Sequence, residues 1–393
     1  MTIIVTGAGS GGHITPVLAI AAEIKQINNE IKVVYIGQRG GKLNDIVQLD
    51  PNIDEIYFVN AGKFRRYNGA GLRQFTDIKT QLLNIRDLSR IFIGFIQSWI
   101  LIKKIKPSVI FTRAGYISVP VAYAAYLCHV KYITHDSDST PSLANRLIAP
   151  KATLHLVALD PALYPYQKSS TIRVGVPISE KYKSVSAKDI EIWRNELKVG
   201  DYNPVILITG GGNGAKKLNN LVLDNVEYLL KKYPNIFIIH LAGRGMAVEL
   251  NNAYDLVIDP KQRKQVVVKE FVSDLYKYSG IADVIVCRGG ATSLNEFAAQ
   301  EKACVVIPSS QLLWNVRNAE LLAKEKAVVV LNESQAEQER RLAVTIIDLL
   351  DNTKNTQLLK KRFAQFIVPG SARMIAELII KTANDPSSEY VSS

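Results

Sequence analysis

Short runs of β-branched and aliphatic residues recur along the chain, each followed by a longer stretch whose apolar positions return every three or four residues. The runs predict buried strands and the 3.6-residue period predicts amphipathic helices. In the first part the strand-like runs are Ile3–Thr6, Lys32–Ile36, Glu55–Val59, Val109–Thr112 and Tyr132–Thr134, with helical patterns over Val17–Ile27 and Ser98–Lys106. The second part repeats the alternation with Val205–Thr209, Ile236–His240, Gln265–Val268, Val284–Cys287, Val305–Ile307 and Val328–Leu331, and with helical patterns after Gly214, Ala291 and Asn315. Strand–helix alternation written twice predicts an α/β chain of two doubly wound, Rossmann-like domains. The turn residues Gly175-Val176-Pro177 mark the seam. They divide the chain into residues 1–177 and 178–393, with the last helix a candidate to pack back on the first domain. The chain after Ser334 reads as mostly helical, and the polar tail past Asp385 as a frayed end.

Composition narrows the class. At 393 residues, 47% hydrophobic and 21% charged, the chain is too long for one compact core and is neither disordered nor fibrous. A net charge of +12 asks for an anionic partner: nucleic acid, a membrane surface or a phosphorylated substrate. Cys128, Cys287 and Cys304 are too few and too scattered for a disulfide framework or a zinc site, which suits a reducing compartment. Met1–Thr6 reads as a strand rather than a leader. The longest apolar stretch, Ile91–Ile102, is interrupted by Gln97 and Ser98 and falls well short of the roughly 20 residues that span a bilayer.

A glycine loop follows the first strand of each half. Gly7-Ala8-Gly9-Ser10-Gly11-Gly12-His13 formally satisfies the dinucleotide fingerprint, in which a bare backbone turn and a helix N-terminus face a phosphate. The second strand, however, ends Tyr35-Ile36-Gly37-Gln38-Arg39 with no carboxylate for a ribose, which argues against nicotinamide or flavin. Gly210-Gly211-Gly212-Asn213-Gly214-Ala215 opens the second half without the lysine and hydroxyl of a P-loop. Two such loops suggest two ligands at the carboxyl ends of two sets of strands, meeting across a cleft. Downstream, Val284–Cys287 runs into Arg288-Gly289-Gly290-Ala291-Thr292-Ser293-Leu294-Asn295-Glu296, a helix start suited to a diphosphate. Glu296 reads either as a ribose ligand or as a carboxylate that merely satisfies the helix dipole.

Taken together, Gly7–Ile20, Gly115–Pro120, His135–Leu147, Gly210–Asn219, Arg288–Glu296 and the pair Asn318-Ala319 resemble the MurG family of peptidoglycan N-acetylglucosaminyltransferases. The segment Lys63-Phe64-Arg65-Arg66-Tyr67 is similar to the low-GC Gram-positive members. The motifs come in family order over nearly the whole chain. The resemblance implies a GT-B fold of two Rossmann-like domains facing a cleft, and an inverting, UDP-N-acetylglucosamine-dependent hexosyltransferase. Its acceptor would be undecaprenyl-diphospho-N-acetylmuramoyl-pentapeptide at the cytoplasmic face of the cell membrane, and it would need no cofactor. The resemblance implies substrate contacts at Ser10, Gly11, Gly12, Tyr116 and Asp138 in the first domain. In the second it implies them at Gly210, Gly212, Asn213, Gly214, Val272, Arg288, Ala291, Thr292, Ser293, Glu296, Asn315 and Asn318. The chain departs from the family pattern at Ser10 (for threonine), Asp136 (for glutamate), Ser179 (for arginine), Gly212 (for serine) and Asn315 (for glutamine). A glycolipid synthase of the same fold, a UDP-N-acetylglucosamine 2-epimerase and a non-catalytic membrane-docking partner are the alternative readings.

Sugar transfer needs a base on the acceptor hydroxyl and stabilisation of departing UDP. His13, at the tip of the first loop, is the first candidate for the base and Asp136 the second, although each also fits a structural capping or turn role. Asp136-Ser137-Asp138 has the spacing of a metal–diphosphate ligand, but it lies in the half without the nucleotide site, so a metal-independent mechanism is expected. Finally, Lys63–Lys106 carries ten Lys/Arg and two acids, a surplus of eight interleaved with Leu82, Leu83, Ile91, Phe92, Ile93, Phe95, Ile96 and Trp99. That mixture predicts an anionic membrane surface as partner and, in the absence of any nucleic-acid motif, no nucleic acid.

Overall fold

A computed structural model describes residues 1–7, 11–41, 43–63, 77–212 and 214–385. Thirteen strands are present among them: β1 (Thr2–Thr6), β2 (Lys32–Gln38), β3 (Glu55–Val59), β4 (Val109–Thr112), β5 (Tyr132–Asp136), β6 (Leu154–Val157), β7 (Thr171–Arg173), β8 (Val205–Thr209), β9 (Phe237–Leu241), β10 (Val266–Lys269), β11 (Val284–Cys287), β12 (Ala303–Val306) and β13 (Val329–Val330). They form two wholly parallel sheets, ordered β3-β2-β1-β4-β5-β6-β7 and β10-β9-β8-β11-β12-β13. Each order reverses once, between β1 and β4 and between β8 and β11. Those switch points, where neighbouring connections leave in opposite directions, open a crevice at the carboxyl ends of the strands.

Two compact units result, one of residues 1–179 with the segment from Val368 onward, the other of Glu180–Ile367. Central strands are buried on both faces, as parallel strands covered by helices must be. The helix Ser371–Asn384 belongs to the first unit. Its fully buried Ile375 and Ile379 join the core under the helix Gly11–Ile27, each contributing roughly 1.5–3 kcal/mol by burial.

The elements differ from the sequence expectation in three places. β6 and β7 were not expected: Leu-His-Leu-Val and Thr-Ile-Arg are short and mixed, and they hold only because they extend the sheet beyond β5. The helix expected from Val17 starts at Gly11, because glycine and histidine hide its period. The helix expected over Ser98–Lys106 runs from Ile78 to Ile105, capped by the Asp77 side chain accepting from the Thr80 N–H at 3.1 Å. Apolar side chains such as Leu82 and Phe92 are exposed while polar Thr80, Asn84 and Asp87 are buried, so no polar stripe marks its outer face in the sequence.

Candidate functional site

The first unit assembles a buried polar cluster where β1, β4 and β5 end. Gly7 leaves β1 so close to the following helix that a Cβ there would strike the His13 carbonyl, which is why glycine is needed. His13 is half-buried in the first turn of that helix, and its Nδ1 lies 2.9 Å from the carbonyl oxygen of Arg113, just after β4. A carbonyl only accepts, so Nδ1 carries the proton and Nε2 the lone pair. Burial, assisted by the Arg113 charge, lowers the His13 pKa to about 4 and keeps the ring neutral.

Asp136 ends β5, 3% exposed. Its Oδ2 accepts from the Tyr166 hydroxyl at 2.6 Å and its Oδ1 from the Ser142 N–H at 3.3 Å. Burial raises its pKa despite those donors and the nearby Arg113 cation. Tyr166 is stacked between His155, 4.2 Å away by centroids, and Tyr164, whose hydroxyl donates to the Asp138 carbonyl at 3.0 Å. His135, wholly buried, meets the Gly175 carbonyl through Nε2 at 2.9 Å, and burial drives its pKa well down. Asp136 thus faces inward with its oxygens engaged, whereas His13 keeps a lone pair to offer.

The second unit places two glycine turns side by side after β8 and β11. Gly211 and Gly214 take left-handed φ values of +82° and +69°, and the Gly214 N–H closes the turn on the Gly211 carbonyl at 2.8 Å. The helices that follow, Lys216–Lys232 and Ala291–Ala299, have no side-chain cap and no acid in the first turn. A helix start of that kind presents backbone N–H groups and the positive end of the dipole to an anion. Gly289 packs against the backbone of Asn315, and Asn318 Nδ2 donates to the Gly289 carbonyl at 3.1 Å, which locks the second turn onto the helix Leu313–Lys324. Glu296, one turn into its helix and 6% exposed, has its pKa raised to about 7 by burial; a hydrogen bond from Tyr182 opposes that rise.

The structure brings His13 to Arg113, and Asp136 and Asp138 to the same guanidinium. It also brings Ala291, Thr292, Ser293 and Glu296 onto one short helix beside Gly210, Gly212 and Gly214. Gly11 and Gly12 open the first helix. Tyr116 instead donates to Gln38. Val272 packs half-buried in the core of the second sheet. Arg288 is held in an ion pair: its Nη1 donates to Glu333 at 3.0 Å and to the Ile307 carbonyl at 2.9 Å. Ser10 and Asn213 lie outside the described residues. Arg113, Tyr166 and Tyr182 were missed. Only Arg113 left a signal, by directly following a strand at the switch point.

A third feature is the helix Ile78–Ile105. Ile78, Leu82, Ile85, Phe92, Ile96 and Trp99, spaced three, four or seven apart on one helical face, are 36–73% exposed. Lys103 Nζ sits 4.1 Å from the Trp99 ring centroid, with Lys104 beside it. The adjoining helix Ser118–Leu127 adds exposed Tyr123 and Leu127. Arg65, Arg66 and their neighbours through residue 76 lie outside the described residues. Among the described residues no helix is long and apolar enough to cross a membrane.

Comparison with known proteins agrees with this layout. Residues 3–156 match the glycosyltransferase family 28 N-terminal domain and residues 205–374 its C-terminal domain. A UDP-N-acetylglucosamine--N-acetylmuramyl-(pentapeptide) pyrophosphoryl-undecaprenol N-acetylglucosamine transferase of Clostridium botulinum is 35% identical over 313 residues, covering 79% of this chain and 78% of that one. The crystal structure of Acinetobacter baumannii MurG superposes with a TM-score of 0.67 at 22% identity, over 97% of this chain and 99% of that one. A UDP-GlcNAc 2-epimerase from Neisseria meningitidis, bound to UDP-GlcNAc, does so with a TM-score of 0.62 at 14% identity, over 97% and 100%. The two structural likenesses carry the GT-B fold; with the domain matches and the close relative, they establish that this chain belongs to glycosyltransferase family 28, among the MurG-type hexosyltransferases.

Proposed function

We propose that the chain moves N-acetylglucosamine from UDP-N-acetylglucosamine to a hydroxyl of the muramoyl residue of undecaprenyl-diphospho-N-acetylmuramoyl-pentapeptide, releasing UDP, in peptidoglycan synthesis. One observation carries the reading. At the switch point of the second sheet an uncapped helix start, free of acids, is followed one turn later by the buried carboxylate of Glu296. A nucleoside diphosphate matches both ends of that arrangement. Its phosphates lie against the helix N–H groups, and its ribose hydroxyls donate to Glu296.

The rest of the mechanism follows from the residues. Fixed N–H dipoles at the starts of Lys216–Lys232 and Ala291–Ala299 meet the charge that grows on departing UDP, with no reorganisation at the moment of transfer. His13, neutral and held by the Arg113 carbonyl, takes the acceptor hydroxyl's proton on Nε2. The freed oxygen attacks the anomeric carbon opposite UDP and inverts it. Asp136, its oxygens engaged by Tyr166 and Ser142, orients the loop beside the acceptor instead of taking the proton. The exposed stripe on Ile78–Ile105 rests on the cytoplasmic membrane surface as a peripheral contact. Its apolar side chains enter the interface while Lys103 and Lys104 meet anionic headgroups at roughly 1 kcal/mol per cation.

The test is UDP release, followed with a coupled assay, with and without the polyprenyl-linked acceptor. Release that requires the lipid supports the transferase. Consumption of UDP-N-acetylglucosamine without any lipid, yielding a C2 epimer, would replace it with the epimerase reading.

A further inference from the structure

Arg113 is a charged side chain that the proposed mechanism does not yet use, and it sits at the centre of the first unit's polar cluster. It is 3% exposed. Burying a guanidinium opposes folding unless its surroundings compensate, so its place calls for a reason beyond packing. Its Nη2 donates to Ser137 Oγ, its Nε has no hydrogen-bond partner, and its backbone carbonyl receives His13 Nδ1–H. The charged and titratable groups that interact with the guanidinium are Asp136, Asp138 and Tyr164, and His13 and His135 also feel its charge. Tyr166 bonds the far oxygen of Asp136, with Arg146 beyond it.

We propose that Arg113 is a positioning residue for the transfer: its carbonyl selects the His13 tautomer that offers Nε2, and its guanidinium fixes the Asp136-Ser137-Asp138 turn. One residue at the end of β4 thereby sets both the base and the loop next to it. This inference rests on His13 being the base, and it goes further by naming what holds that base ready. The His13 pKa is lowered to about 4 first by burial and then by this cation.

The experiment compares wild-type protein, Arg113→Gln, Arg113→Lys and His13→Asn as full chains, measuring kcat and donor KM across pH. Arg113→Gln should lower kcat at least about tenfold and leave donor KM within about twofold, because the donor contacts lie in the other unit. It should also move the acid limb of the kcat profile to higher pH: without the cation, both His13 and Asp136 hold their protons more tightly. Arg113→Lys should return the limb to its wild-type position with part of the rate. Unchanged kcat together with an unmoved limb in Arg113→Gln overturns the inference. If that variant does not fold, Arg113→Lys decides alone: a wild-type rate overturns the proposal, whereas a lowered rate with an unmoved limb supports it. His13→Asn separates the two ideas. Full activity there overturns the base assignment itself, while loss there with a wild-type Arg113→Gln overturns only the role of Arg113.

Discussion

Glu296→Gln offers the sharpest quantitative test of the donor site. The side chain is 6% exposed, and burial lifts its pKa from 4.5 to about 7. A change of that size corresponds to roughly 3 kcal/mol between its protonated and ionised forms. The folded state holds this proton more tightly than the unfolded state does. The Glu296 contribution to stability is therefore full below pH 4.5, is lost as pH rises from 4.5 to 7, and stays absent above 7. Ribose hydroxyls need the ionised form as acceptor, so donor binding works against that preference. UDP affinity should weaken about tenfold for each unit below pH 7, because the carboxylate must first lose its proton. Glutamine preserves shape and one acceptor oxygen but gives up the charge-assisted bond. At pH 8 the variant should bind UDP roughly 10- to 100-fold more weakly, from the 1.5–3 kcal/mol of a hydrogen bond to a charged group. By about pH 5.5 the two affinities should nearly coincide. Titration calorimetry with UDP from pH 5.5 to 8.5 reads both trends, and the ligand's own phosphate titration cancels in the ratio. Equal affinities at pH 8, or a ratio that does not change with pH, would refute the assignment of Glu296 to the ribose.

Three further outcomes are expected. Gly214→Ala combines a left-handed φ of +69° with a Cβ that would strike the Ala242 carbonyl and the Met246 methyl, so it should lose about 1–3 kcal/mol of stability by thermal melt and weaken UDP binding. Ile85→Ser with Phe92→Ser, at side chains 67% and 64% exposed, should leave the melting temperature nearly unchanged yet abolish binding to phosphatidylglycerol vesicles. In wild type, that binding should fall steeply with salt, since exposed charges are screened beyond about 8 Å at physiological ionic strength; salt-insensitive binding would contradict the role of the basic side chains. EDTA should leave transfer within a small factor, because helix N–H groups meet the diphosphate; activity lost to EDTA and restored by manganese would return Asp136 and Asp138 to a metal role.

The architecture was readable from the chain because central parallel strands are buried on both faces and must be continuous aliphatic runs; Val205–Thr209 and Val284–Cys287 coincide with β8 and β11 residue for residue. β6 and β7 escaped because pairing at the sheet's margin, rather than their own composition, makes them strands. The loops of the site were legible for a related reason, since Gly7 and Gly214 answer backbone demands that no other residue satisfies cheaply. What each side chain does there was less legible. Arg288 reads from its position as a phosphate ligand, yet Glu333, 45 residues later, draws it into an ion pair. Asp136 reads as a base or metal ligand, yet Tyr166, 30 residues on, occupies it. Such pairings depend on which loops the sheet brings together, information that local spacing does not carry. The exposed face of Ile78–Ile105 was hidden in the opposite sense: its apolar residues resemble core until folding leaves them outside.

The proposed reaction places a sugar on a lipid, so identifying that lipid product tests it outright. Purified protein is incubated with UDP-N-acetylglucosamine and undecaprenyl-diphospho-N-acetylmuramoyl-pentapeptide, and the lipid fraction is analysed by mass spectrometry and its new linkage by NMR. The expected product is the lipid with one N-acetylhexosamine gained, joined with the anomeric configuration inverted relative to the donor, together with an equal amount of UDP. A lipid of unchanged mass, or the sugar appearing on a diacylglycerol instead, would contradict it.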